Sequence, residues 1–222
     1  MIDTLIFDFD GVIIDTETPD YLTWQEVFHS YGVALDRALW GRFIGGGTEF
    51  FDRYQHLEDL AEAELDRAAI ERTRDERYLD MIESGPLLPG IMAYITGAKD
   101  AGLKIGIASS SSRSWVEGHL ERRGLLDYFD SIKGGDEVSK IKPDPELYLA
   151  SVKDLGGLPH TSLAIEDSMN GLSAAKDAGL LCVVVPNEMT RDMDLSRADL
   201  QLESLTDMTL PSLLAWAEQS AQ

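Results

Sequence analysis

The chain has 222 residues, 44% hydrophobic and 27% charged, with 40 acidic against 19 basic side chains and a net charge of −21. That length suits one large domain or a core carrying a smaller one. So acidic a surface repels nucleic-acid backbones and anionic membranes, and neither is an expected partner.

No apolar run approaches the roughly 18–20 residues of a membrane-spanning helix. Met1-Ile2-Asp3-Thr4 lacks the basic start of a secretory signal. The single cysteine, Cys182, leaves no internal disulfide and sits in the apolar run from Leu180 to Val185 as a buried strand residue. A reducing, cytoplasmic setting is the expectation. An anionic substrate would need local positive charge from a metal, a lysine and backbone amides.

Thr4-Leu5-Ile6-Phe7 reads as a short buried strand running into the turn Asp8-Phe9-Asp10-Gly11. Four further strands are expected, at Lys104 to Ala108, Ser131 to Lys133, Ser162 to Ile165 and Leu181 to Val185, each short and aliphatic or β-branched. Between them Ile91, Tyr94, Ile95 and Ala98 carry helical spacing. So do Val116 and Leu120, then Tyr148, Val152 and Leu155, and finally Leu172, Ala175 and Ala178. This alternation predicts a doubly wound parallel α/β sheet, whose catalytic groups belong at the carboxyl ends of the strands.

Residues 16–87 break the alternation. Trp24, Val27, Phe28 and Tyr31 share one helical face. The stretch from Leu57 to Ile82 is long, charged and helix-prone, with Leu60, Leu65, Ala68 and Ala69 as its apolar positions. The expectation is a core of residues 1–15 and 88–222, with an all-helical cap of residues 16–87 inserted after the first strand as a lid. Met189 to Leu200 is irregular and acidic, and no function is assigned to it.

Four patches stand at or just beyond predicted strand ends. Asp8 and Asp10, at i and i+2, point their carboxylates the same way, and like charges that close need a cation or a proton. Ser109-Ser110-Ser111-Ser112 offers hydroxyls and amides where a strand meets a helix, either an anion site or a helix cap. Lys142-Pro143-Asp144-Pro145 fixes a lysine in an extended turn. Glu166-Asp167-Ser168 places hard oxygen donors suited to magnesium after the fourth strand.

In this order the patches resemble the haloacid dehalogenase superfamily of phosphohydrolases. The residues that carry the likeness are Ile6 to Glu17, Ala108 to Ser111, Lys142 to Pro145, Ile165 to Gly171 and Ala174 to Gly179. Within it the chain is most similar to the branch of β-phosphoglucomutase and small-molecule phosphatases, with a helical cap on a Rossmann-like core. The resemblance implies that Asp8 is the nucleophile and Asp10 the general acid and base. It implies that Ser109, Ser110 and Lys142 hold the phosphoryl group, and that Mg2+ is bound by Asp8, Asp10 through its carbonyl, Glu166 and Asp167. An aspartate at position 10 favours phosphate esters over organohalides, because a halide leaving group needs no proton. The substrate expected is a small phosphorylated metabolite; monomer and dimer stay open.

Two features depart from the sugar-phosphate mutases. The loop Phe43-Ile44-Gly45-Gly46-Gly47-Thr48-Glu49 has glycines and an acid where the mutases have a basic residue, leaving Arg42 and Arg53 as substitutes. Thr18-Pro19-Asp20-Tyr21 stands where they have a histidine. Hydrolysis is therefore expected, with mutase activity the alternative. His29, His56, His119 and His160 lie outside every motif and are not expected to act.

Overall fold

The fold is described from a computed structural model, which places residues 1–41, 44 and 52–220. The loop Gly45 to Glu49 and Arg42, singled out above, lie outside the described residues. Six parallel strands form one sheet in the order β3-β2-β1-β4-β5-β6. They are β1 (Thr4–Phe7), β2 (Lys104–Ala108), β3 (Ser131–Lys133), β4 (Ser162–Glu166), β5 (Leu181–Val184) and β6 (Leu200–Gln201). β1 pairs with β2 in the register Phe7↔Ile107 and with β4 in the register Phe7↔Ile165. Leu5, Ile6 and Phe7 are wholly buried, as a central strand covered on both faces requires.

Around the sheet lie α5 (Ile91–Asp100), α6 (Arg113–Arg122), α7 (Glu146–Asp154), α8 (Met169–Asp177) and α9 (Leu210–Ser220). One apolar cluster joins Ile91, Tyr94, Ile95, Val116 and Leu120 to Leu5 and Phe7. A second joins Tyr148, Val152, Leu172 and Ala175 to Ile6 and Ala164 on the other face. Ser112 and Ser168 cap α6 and α8, accepting from the N–H groups of Trp115 and Gly171.

Between β1 and β2 the chain forms α1 (Glu17–Ser30), α2 (Arg37–Gly41), α3 (Arg53–Ala61) and α4 (Arg67–Ser84). These helices close on a third cluster, with Tyr21, Trp24, Phe28, Trp40 and Leu57 buried and Met189 added from beyond β5. The chain leaves the sheet and returns to it at one place, where Ile14 bridges Leu87 and Leu88 N–H donates to Ile13 O at 3.0 Å. The helix-prone stretch from Leu57 to Ile82 is shared between two helices, α3 and α4. Glu62, left-handed at φ 48°, ends α3, and Asp66 starts α4 by accepting from Ala69 N–H at 3.0 Å. Leu60 and Ala68, expected as apolar contacts, are exposed in consequence.

β6 and α9 extend the expected core. Leu200 pairs with Val183, and Leu210, Leu213 and Ala217 bury one face of α9. No helix among the described residues is long and apolar enough to cross a membrane.

Candidate active site

Strand order reverses at β1, which has β2 on one side and β4 on the other. The crevice beyond the carboxyl ends of β1 and β4 is where ligands of such sheets bind. Asp8 enters it directly after β1, its N–H donating to Ile165 O at 2.9 Å. Glu166 is the last residue of β4, and Asp167 follows.

Lys142 reaches this crevice from the turn before α7 and is fully buried. Its Nζ lies 2.8 Å from Asp8 Oδ1 and 2.7 Å from Glu166 Oε1. Glu166 is held at both oxygens. Oε1 also accepts from Tyr148 OH at 2.6 Å, and Oε2 accepts from Asp167 N–H at 3.1 Å and Ser168 Oγ at 3.4 Å. Gly171 makes room for it, since a Cβ there would lie 2.0 Å from the carboxylate.

Asp8, Glu166 and Asp167 bring carboxylate oxygens within 4.8 Å of one another, all three residues being buried. With Lys142 as the cation in contact with them, ionising all three leaves two negative charges unmatched. Burial comes first in raising Asp8 to about 8, with Glu166 and Asp10 adding to it against the pull of Lys142. Burial, then Glu166 and Asp8, also push Asp167 well above the ordinary carboxylate range. Burial works to lower Lys142, yet Asp8 and Glu166 prevail and hold its ammonium charged. A hard divalent cation matches both the oxygen donors and the charge deficit, so this donor set fits Mg2+.

The Asp10 carboxylate is held by a different set of donors. Oδ2 accepts from Ser111 Oγ at 2.7 Å and Ser109 Oγ at 3.1 Å, and Oδ1 from Trp115 Nε1 at 3.3 Å. The serine run is thus divided in use: Ser109 and Ser111 face Asp10, while Ser112 caps α6. Ser110 stands half-buried in the same turn, its carbonyl 2.3 Å from where a Cβ of Gly135 would be.

Of the residues named from the sequence, Asp8, Lys142, Glu166 and Asp167 converge on one cluster, and Ser109 on Asp10 beside it. Ser111 of the serine run and Tyr148, marked only for its helical spacing, join them, as do Trp115 and Asn187, which the sequence did not single out. Trp115 also stacks on Tyr78 of α4, with centroids 6.0 Å apart and planes at 3°, so that the helical unit touches the group that holds Asp10. Glu17, in the first turn of α1, is pushed up to about 8 by burial and then by Asp10 and Asp8. His119 is a packed core residue whose ring lies 6.1 Å from Phe9 and 4.2 Å from Trp115, and burial lowers it.

Comparison with known proteins adds to this geometry. The family described as haloacid dehalogenase-like hydrolase matches residues 5–185. YhcW of Bacillus subtilis (strain 168), provisionally named a phosphatase, is 46% identical over 96% of this chain and 97% of its own. The crystal structure of a CbbY variant from Rhodobacter sphaeroides in complex with xylulose-(1,5)bisphosphate is similar at 32% identity and TM-score 0.75, covering 93% of this chain and 96% of that one. A β-phosphoglucomutase from Clostridium difficile is similar at 27% identity and TM-score 0.78, covering 99% of this chain and 98% of that one. The chain belongs to the haloacid dehalogenase-like hydrolases.

Proposed function

We propose that the chain is a Mg2+-dependent phosphatase of small sugar or polyol phosphates, working through a phosphoryl group carried on Asp8. The observation that carries this reading is the contact of Lys142 Nζ with Asp8 Oδ1 at 2.8 Å, beside the buried pair Glu166 and Asp167. An Asp8 oxygen attacks phosphorus, and the bond from phosphorus to the ester oxygen breaks. Asp10 gives its proton to the departing alkoxide. Asp10 then takes a proton from water as the water oxygen attacks phospho-Asp8, the bond from phosphorus to Asp8 breaks, and inorganic phosphate leaves. Lys142 and the Ser109 and Ser110 turn hold phosphoryl oxygens through both steps. Mg2+ bound by Asp8, Asp167, Glu166 and the Asp10 carbonyl would supply the charge that lets a carboxylate meet a phosphate dianion.

Residues 16–87 serve in this reading as the cap over the crevice, and residues 1–15 and 88–222 as the core. The strand-like crossing of Ile14 with Leu87 supports that division, as does the apolar cluster centred on Tyr21, Trp24, Phe28 and Leu57. Sugar phosphates are favoured because the CbbY relative was crystallised with one, and hydrolysis because YhcW bears a phosphatase name.

The test is phosphate release from a panel of sugar, polyol and nucleoside phosphates, with Mg2+ and with a chelator. Turnover that needs Mg2+ and is highest on sugar or polyol esters supports the reading. Full turnover in metal-free buffer, or no release from any ester, overturns it.

A further inference from the structure

The acidic stretch that the sequence leaves without a role begins beside the cluster. Asn187 follows β5, and its Nδ2 donates to Asp167 Oδ2 at 2.7 Å. The other end of the amide fixes which atom faces Asp167. Asn187 Oδ1 accepts from the backbone N–H groups of Met189 at 2.8 Å and Thr190 at 3.2 Å. Thr190, wholly buried, closes the turn by accepting from Asn187 N–H through Oγ1 at 3.0 Å. A flipped amide would set its NH2 against two N–H donors and an oxygen against a carboxylate, so the donor is held toward Asp167.

Two other parts of the chain meet at this contact. Gly11, in the first motif, has φ +75°, and a Cβ there would lie 2.3 Å from Asp167 Oδ2 and 2.9 Å from Asn187 Nδ2. Any side chain at position 11 would occupy the space of the pair. Met189, two residues beyond Asn187, is buried in the cluster of Tyr21, Trp24 and Trp40, and Glu188 pairs with Arg37 of α2. The turn is therefore anchored in the helical unit as well as in the sheet.

We propose that Asn187 is a positioning residue that holds the Asp167 carboxylate in the orientation needed to bind Mg2+. The inference rests on the reading of Asp167 as a metal ligand. A hydrogen-bond partner behind a ligand fixes that ligand's rotamer, and its loss typically costs ~10–100-fold in metal affinity or activity.

Two variants test it. Asn187→Ser keeps an oxygen that can accept from the turn amides but removes the NH2 group that reaches Asp167; Asn187→Ala removes both. Two quantities are read: the Mg2+ concentration that half-saturates phosphate release, and the rise in Tm that Mg2+ produces without substrate. For Asn187→Ser the half-saturating concentration rises ~10–100-fold and the Mg2+-induced rise in Tm shrinks, while the metal-free Tm stays close to that of the parent chain. Asn187→Ala shows the same loss of response on a lower metal-free Tm. A parent-like Mg2+ response in either folded variant overturns the inference. A parent chain that itself shows no Mg2+ response overturns instead the reading of Asp167.

Discussion

Lys142 Nζ stands 2.8 Å from Asp8 Oδ1 with neither residue open to solvent, so the proposed nucleophile is paired with a cation before any substrate arrives. The same ammonium is 2.7 Å from Glu166. Removing either end of this arrangement has unequal consequences. Lys142→Met leaves buried carboxylates without their cation, and breaking a buried pair in this way costs about 3–5 kcal/mol. Asp8→Asn leaves Lys142 its contact with Glu166 and keeps the shape of the side chain. Thermal unfolding in metal-free buffer should therefore show a large drop in Tm for Lys142→Met and a small change for Asp8→Asn. Both should lose phosphate release, and acid-quenched Asp8→Asn should carry no phosphoryl group.

Asp10 accepts from Ser109, Ser111 and Trp115, three donors that hold its carboxylate at one side of the crevice. As acid and base it is worth about 10²–10⁴-fold in rate. Asp10→Asn should lose that factor on alkyl phosphates. The loss should be much smaller on aryl esters, whose leaving groups depart without a proton. Rates on a series of leaving groups check this, and equal losses across the series would remove Asp10 from the acid role.

Much of this site is legible in the sequence because short polar motifs at strand ends have few other uses in combination. Asp8, Asp10, Lys142, Glu166 and Asp167 all fall at such points. Tyr148 escapes because its ring serves the core pattern of α7 while only its hydroxyl reaches Glu166. Trp115 escapes for the same reason on α6. Asn187 sits in an irregular stretch where no periodicity marks it, although a turn residue after a buried strand was a usable signal. The break between α3 and α4 is masked by helix-favouring Ala, Glu and Leu around Glu62, with Asp66 as the one capping cue. β6 is too short for a period of two to appear, whereas the i, i+3, i+7 spacing of Leu210, Leu213 and Ala217 could have revealed α9.

Metal binding should depend on pH with a definite sign. Asp8 and Glu17 are raised to about 8 and Asp167 is raised well above the ordinary carboxylate range, all chiefly by burial. A carboxyl raised in the folded state binds its proton more tightly than in the unfolded chain. Its stabilising contribution is full below the unfolded value near 3.8 for an aspartate and is lost as pH rises toward 8. Metal-free protein should thus lose stability from these groups between about pH 4 and pH 8. Mg2+ takes the ionised form, so the gain in Tm on adding Mg2+ should grow across that window. Tm measured with and without Mg2+ at pH 5, 6.5 and 8 checks this. A gain largest at pH 5 would place Mg2+ away from Asp8 and Asp167.

Hydrolysis and mutation of a sugar phosphate share phospho-Asp8 and differ in what accepts the phosphoryl group. A mutase must grip a second phosphate far from the reacting one and keep water out until transfer. That grip needs unmatched cations in the helical unit. Arg53 is matched already: one guanidinium nitrogen lies 3.2 Å from Asp20 Oδ2, and its plane lies over Trp40 at 4.8 Å from the ring centre. Arg74 is drawn to the same Asp20 and to Asp75 at 3.0 Å. Among the described residues, Asp20 therefore engages Arg53, one of the two expected substitutes for the mutases' basic residue, together with Arg74. A phosphate seeking Arg53 must displace a partly buried carboxylate and meets the acid of Glu17 nearby. Water should be the main acceptor. Offering glucose 1-phosphate with catalytic hexose bisphosphate should give free phosphate faster than isomerised sugar phosphate. Asp20→Asn, which frees Arg53 and leaves Arg74 only its pairing with Asp75, should lower KM for bisphosphates more than for monophosphates. Isomerisation outrunning phosphate release in the parent chain would replace the phosphatase with a mutase.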